Sequence, residues 1–279
     1  MKKTSLQKLS ESQCTLSEPQ CNIFFTLSCI SLFMLFLMGC KPNNIPEQHQ
    51  VMVFFSTRSP SGSLLKSTAT PAEDQISEII LFAINDKDEI VETFPLSSSG
   101  GRLTLSRKIT SLYAIANPGD IVWATYTTGL QLRNLTANFS AKPASPFLMS
   151  GTAEIPYASA TVNIRLVRAV AKININVVDT GFEIESVTVN NTPAKGYVFS
   201  KTPFSVPTSD RVTYSYSAGD LAINPSIYVA ENSPNQTEFV VTGKYQGRQI
   251  DPYTFKLTKG NNMYIEIKRN TCYQVDIKF

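Results

Sequence analysis

The stretch that decides the fold is Ala160-Thr161-Val162-Asn163-Ile164-Arg165-Leu166-Val167-Arg168-Ala169-Val170-Ala171-Lys172-Ile173-Asn174-Ile175-Asn176-Val177-Val178. Val162, Ile164, Leu166 and Ala169 give way to Ile173, Ile175 and Val177. Apolar residues at every second position mark a strand with one face on a core, because successive side chains point to opposite faces. A run of about 19 residues is long for one strand, whose usual length is about 5–6. It is therefore expected to bend or bulge near Arg168 and to pass from one folded domain into the next, with the boundary near residues 163–170.

Working outward, the same pattern recurs on both sides. Upstream, strands are expected at Glu78–Ile84, Glu89–Phe94, Arg102–Lys108, Leu112–Ala116 and Thr152–Ile155, with turn residues between them. Asn85-Asp86-Lys87-Asp88, Ser97–Gly101 and Asn117-Pro118-Gly119-Asp120 are the clearest of those turns. Thr128–Phe139 reads as holding a short helix. Downstream, strands are expected at Glu183–Asn190, Tyr197–Ser200, Arg211–Tyr216, Ser226–Ala230, Glu238–Tyr245, Tyr253–Leu257, Met263–Lys268 and Cys272–Phe279. Short strands at this spacing point to an all-β chain of two β-sandwich domains, 51–165 and 166–279. Val51-Met52-Val53-Phe54-Phe55 is apolar at every position and is expected to lie buried on both faces of its sheet. A Ser/Thr/Pro/Gly-rich loop, Ser56 to Pro71, comes next.

The amino end reads as an address. Lys2, Lys3 and Lys8 precede an uncharged Phe- and Leu-rich run from Ile23 to Met38. At about 16 residues it is short of the roughly 20 needed to span a bilayer, so it reads as a signal-peptide core. Leu37-Met38-Gly39-Cys40 closes it and resembles the lipobox of bacterial lipoproteins, in which the cysteine sulfur takes a diacylglyceryl group and the chain is cut just before it. Residues 1–39 are thus expected to be a lipoprotein signal peptide, Cys40 the lipidation site (several acyl chains give a stable anchor), and 40–50 a polar tether. Of the five cysteines, Cys14, Cys21 and Cys29 fall in the signal. That leaves Cys272 as the remaining thiol, without a disulfide partner and expected to pack as a small apolar residue.

The chain has 279 residues, 25 Lys+Arg, 22 Asp+Glu and a formal charge of +3. Such a balance carries no basic footprint, so nucleic acid is not expected as a partner. One histidine, His49, sits beside the tether, where a solvated imidazole is expected. No Gly-rich phosphate loop, HExxH pair or GxSxG elbow occurs, so no catalytic, metal or cofactor site is expected and the chain does not read as an enzyme. Asp86, Asp88 and Glu89 lack the spacing of a Ca²⁺ loop and read as solvated turn residues. Tyr197, Tyr214, Tyr216, Tyr228, Tyr253, Tyr264 and Tyr273 could stack on sugars, although strand propensity explains them more simply.

Several segments resemble the fimbrillins, the subunits of type V pili of Bacteroidia. Leu166-Val167-Arg168-Ala169-Val170-Ala171-Lys172-Ile173 is similar to their L-x-R-x-V-A-K-I strand, and Ile184-Glu185-Ser186-Val187-Thr188-Val189-Asn190-Asn191 lies beyond it at the expected distance. Phe147-Leu148-Met149-Ser150-Gly151 resembles a P-M-S-G step and Tyr113-Ala114-Ile115-Ala116-Asn117 a strand ending in A-N. Tyr228-Val229-Ala230-Glu231-Asn232 and Lys268-Arg269-Asn270-Thr271-Cys272-Tyr273-Gln274-Val275 are similar to the family's Y-V-x-E-N and R-N-x-x-Y-x-V patterns.

The resemblance implies two transthyretin-like β-sandwich domains and a structural, adhesive role in an outer-membrane lipoprotein that becomes part of a surface fimbrium. It also implies maturation: an arginine-specific protease cuts after the first strand, which leaves, and a strand of another subunit takes its place. Here Arg58, with Lys66 as a poorer site, would be cut, and Val51, Met52, Val53, Phe54 and Phe55 would be the exchangeable strand. Their burial is worth roughly 7–15 kcal/mol as an upper range. The partners implied are other fimbrial subunits, the outer membrane through the lipid before processing, and a host protein or glycan receptor. Stalk subunits continue beyond the closing strand, whereas this sequence stops at Phe279, which leads to the expectation of a tip or minor accessory subunit. The competing expectation is a permanently anchored surface lipoprotein that binds glycans.

Overall fold

The computed structural model describes residues 48–57, 70–97, 100–156, 160–223 and 226–278. The signal peptide, Cys40, Arg58 and Lys66 lie outside the described residues. Nearly all regular structure is β. The first half runs β1 (Gln48–Ser56), β2 (Ile79–Asn85), β3 (Ile90–Leu96), β4 (Gly101–Ser106), β5 (Ile109–Ala116), β6 (Thr136–Asn138), β7 (Met149–Glu154), β8 (Thr161–Arg165) and β9 (Val167–Arg168). The second runs β10 (Val170–Val177), β11 (Phe182–Pro193), β12 (Lys195–Tyr197), β13 (Arg211–Ser217), β14 (Ser226–Ala230), β15 (Glu238–Tyr245), β16 (Arg248–Gln249), β17 (Tyr253–Phe255), β18 (Thr258–Lys259), β19 (Met263–Tyr264) and β20 (Cys272–Ile277). A five-residue helix, Gly129–Arg133, lies within the span read as helical.

Each half is a sandwich of two sheets. In the first, a three-stranded sheet β4-β1-β8 faces a five-stranded sheet β3-β2-β5-β7-β9. In the second, β14-β10-β20 faces β13-β11-β15, with β16 and β17 both pairing β15. The two halves repeat one topology. The central strands β1 and β10 each pair antiparallel with one neighbour (β4, β14) and parallel with the other (β8, β20). In the facing sheets β2 and β11 lie between β3 and β5, and between β13 and β15, all antiparallel.

Alternation sends one face of each three-stranded sheet inward. Val51 and Val53, Leu103 and Leu105, and Val162 and Ile164 meet Ile79, Leu81, Leu112, Ala114 and Met149 in the first core. Ile173, Val187, Val189, Ile227, Val229, Phe239 and Val241 form the second. A third cluster joins the outer face of β2 and β5, through Ile80, Phe82, Ile84 and Ile115, to Leu132, Phe139, Phe147, Val198, Phe199 and Tyr228. β2 is therefore buried on both faces, with Ile79 to Ile84 all buried.

The long apolar run breaks as the spacing predicts. β8 ends at Arg165, β9 pairs with β7 rather than β1, and β10 opens the second sandwich. The chain changes sheets twice within a few residues, held by Leu166 N–H to the Ser56 carbonyl at 2.8 Å and Ala169 N–H to the Leu148 carbonyl at 2.9 Å. Gly151 permits the crossing: a Cβ there would lie 2.2 Å from the Arg165 carbonyl oxygen. Met263–Lys268 is shorter in strand than expected, because only Met263–Tyr264 pairs with β18, while Ile267 bridges Asn232 instead.

Candidate functional site

The sequence singles out Val51–Phe55, and the structure places it at the centre of the three-stranded sheet. Gln48 to Val53 pair with β4, and Met52 to Ser56 pair with β8. Val51 and Val53 are fully buried in the first core, and Phe55 packs against it. Phe54 is 47% exposed and Met52 only partly buried, so the expected burial on both faces is corrected. The reason is the layer order. β2 has packed elements on either side, whereas the outer face of β4-β1-β8 carries exposed Arg102, Thr104, Thr161, Asn163 and Arg165.

Two further corrections concern the amino side. The expected tether of 40–50 is too long, because β1 begins at Gln48. His49, read as solvated, stands in the ladder opposite Leu105, and its Nδ1 is buried without a hydrogen-bond partner. Alternation places it on the core face with Val51 and Val53. At the other end Gly100, with φ +80°, passes so near β1 that a Cβ would lie 2.1 Å from the Val53 carbonyl oxygen.

The chain re-enters the described fold at Thr70 and is fastened at once. Glu73, 3% exposed, accepts hydrogen bonds on Oε1 from Lys172 Nζ at 2.7 Å and from the Tyr228 hydroxyl at 2.6 Å. Arg168 donates through Nε to the Glu73 carbonyl at 3.0 Å and through a terminal nitrogen to Asn270 at 3.1 Å, and it pairs with Asp74. Burial pushes the Glu73 carboxyl up, but hydrogen bonds from Lys172 and Tyr228 and the charges of Lys172 and Arg168 outweigh it, holding the group below the usual carboxylate range. Sequence reading missed Glu73 and Asp74. The available signal was the pair Arg168 and Lys172 four positions apart in an otherwise apolar run, which implies buried cations in need of anions.

Asp88 also exceeds its expected role as a solvated turn residue. At φ +64° it closes the β2–β3 turn. Its carboxylate receives both Arg133 terminal nitrogens at 2.8 Å and the Leu130 N–H at 2.8 Å, pinning the short helix. Among the tyrosines, Tyr216 is buried, and its hydroxyl donates to the Tyr228 carbonyl at 2.9 Å and accepts from the Tyr228 N–H at 3.0 Å. Tyr214 donates to the same carbonyl at 3.1 Å. Together they satisfy the Tyr228 backbone, which faces away from β10. Tyr253 and Tyr264 remain exposed. Cys272 is half-buried and unpaired by disulfide, accepting from Asn174 Nδ2 at 3.4 Å.

No protein-family model matches the chain, and no curated protein matches it either. Solved structures do. A candidate cell adhesion protein of Bacteroides eggerthii superposes with a TM-score of 0.57 at 18% identity, covering 85% of this chain and 88% of that one. The chain has the fold of Bacteroidia fimbrial and adhesion proteins. A fimbrial assembly protein of Parabacteroides distasonis gives 0.55 at 15% identity over 82% and 90% of the two chains. The tip fimbrial protein Mfa3 of Porphyromonas gingivalis gives 0.55 at 13% over 83% and 95%.

Proposed function

We propose that the chain is a subunit of an adhesive surface fimbrium, organised as two β-sandwich domains that divide after β9 and assembled by strand exchange. On this reading it is exported as an outer-membrane lipoprotein through Cys40, cut after Arg58, and relieved of β1, whose place a strand from another subunit then takes. The likeness to a tip fimbrial protein extends the reading to a tip or accessory position. The observation that carries it is the seat of β1: central, paired on both edges, with Val51 and Val53 fully buried.

Removing β1 would strip backbone partners from β4 and β8 at once and open the first core along its length. Unpaired strand edges beside exposed apolar surface are what β-augmentation requires. Each fully buried valine contributes about 1.5–3 kcal/mol, which an incoming strand of matching alternation would recover.

The test uses the chain from Cys40 onward and an arginine-specific protease, with the new amino terminus identified by mass spectrometry. A labelled peptide of residues 48–57 is then added to the cut protein. The expected result is a cut after Arg58, loss of the upstream piece and saturable uptake of the peptide. A chain that is cut yet keeps its own strand and takes up no peptide would refute strand exchange.

A further inference from the structure

We propose that Thr70–Ser77 is a retained anchor, which fastens the chain to the body of the protein independently of β1, so that departure of β1 leaves the rest of the chain in place. The inference rests on the strand-exchange reading for its purpose, though not for its test.

Irregular backbone between two strands is ordinarily the mobile part of a fold, with few buried contacts. This segment, mostly exposed, is nonetheless tied down at successive residues around the buried Glu73. It makes a turn closed by Glu73 N–H to the Thr70 carbonyl at 3.0 Å. Its carbonyls and side chains are then held one after another. The Ala72 carbonyl accepts from the Ser145 hydroxyl, Glu73 from Lys172 and Tyr228, and the Glu73 carbonyl and Asp74 carboxylate from Arg168. Asn117, at φ +52°, completes the set: its Nδ2 donates to the Gln75 and Phe147 carbonyls at 2.9 and 2.8 Å, and its Oδ1 accepts from Ser77 N–H at 2.8 Å.

None of these hydrogen-bonding partners belongs to β1, β4 or β8, and of the segment only Ile76 packs against the first core that β1 shares. They come from the end of β5, from residues 145–147, from β9, β10 and β14, and from the turn before β20. Breaking a buried ion pair by removing one charge leaves the other stranded, which is far costlier than losing an exposed pair. Lys172 and Glu73, with side chains 15% and 4% exposed, form such a buried pair and hold whether or not β1 is present; Asp74, 38% exposed, makes the Arg168 pair the lesser contribution.

The experiment is amide hydrogen exchange on the intact chain from Cys40, comparing wild type with Glu73→Gln and with Val53→Ala. Glu73→Gln should speed exchange of the Glu73, Asp74, Gln75 and Ser77 amides at least tenfold and change the β1 and β4 amides less than about twofold. Val53→Ala should do the opposite. Tyr228→Phe, which removes the hydroxyl's hydrogen bond to Glu73, serves as the milder probe should Glu73→Gln not fold, and is expected to give about threefold at the same amides. Either substitution speeding both regions alike, or neither altering exchange at Glu73–Ser77, overturns the anchor. Whether the cut piece leaves is read separately, by gel filtration of the protease-treated wild type. Retention there removes strand exchange and leaves the anchor standing.

Discussion

Val53 and Phe54 are neighbours on opposite faces of β1, and their truncations should differ in cost. Val53 is fully buried between β2, β4 and β8. Val53→Ala removes two carbons at about 0.8 kcal/mol each, and incomplete collapse of the cavity brings the loss to about 2–2.5 kcal/mol. Phe54 is 47% exposed. Phe54→Ala forfeits roughly half of the 1.5–3 kcal/mol of full burial and leaves little cavity, so about 1 kcal/mol is expected. Were β1 buried on both faces, as its composition suggests, the phenylalanine truncation would instead cost about 3–5 kcal/mol. Equilibrium urea unfolding of the two variants, with m-values compared to exclude a change in the denatured state, measures the difference. A Phe54→Ala loss equal to or larger than that of Val53→Ala would refute the one-faced seat and with it the layer order described for the first sandwich.

Gly100→Ala should weaken the seating of β1, since both the positive φ and the clash with the Val53 carbonyl oppose a Cβ; faster exchange at the Val51–Val53 amides, with the second sandwich unchanged, is the readout. Tyr216→Phe removes the buried hydroxyl that accepts from the Tyr228 N–H and donates to its carbonyl, and should cost about 1–3 kcal/mol in urea unfolding. Glu73 titrates below its unfolded value, so its contribution is fully present above the ordinary carboxylate pKa of 4.5 and is lost as pH falls through the lower folded value. Stability measured between pH 6 and pH 3 (about the carboxylate range) should fall more steeply in wild type than in Glu73→Gln.

Period-two alternation made the strands legible, because it arises directly from the pleat, and the break at Arg168 was legible because no single strand stays paired for so long. The layer order was not. Val51–Phe55 and Ile79–Ile84 look equally apolar in sequence, yet only the second has packed surfaces on both sides, and that depends on which sheet each strand joins. The topological repeat of the two halves was likewise hidden, since it lives in pairing direction and order rather than in residue identity. The anchor was half legible: two cations in an apolar strand demand anions, but their source, about 95 residues upstream at Glu73 and Asp74, is a long-range contact that no local pattern encodes. Asp88 looked like any turn residue until the short helix was brought against it.

The repeat poses a sharper question for the proposed strand exchange: why β1 would leave when its counterpart β10 occupies the same place in an equivalent sheet. The difference is covalent. A single cut in the segment after β1 leaves it joined to the described fold by no peptide bond, so its hydrogen bonds and two buried valines stand against the full translational freedom gained on leaving. β10 is continuous with β9 and β8, and β8 is itself paired to β1. One cut in the 178–181 turn after β10 therefore frees only one end, and dissociation would require tearing out the junction at Leu166–Ala169 as well. Thr180→Arg, at an exposed position in that turn, supplies a cleavage site there. After arginine-specific cleavage the protein should remain one particle by gel filtration and keep slow exchange at the Lys172–Ile175 amides. Release or rapid exchange of β10 after that single cut would mean that connectivity is not what distinguishes the two strands, and the selectivity claimed for β1 would have to come from its weaker, one-faced burial alone.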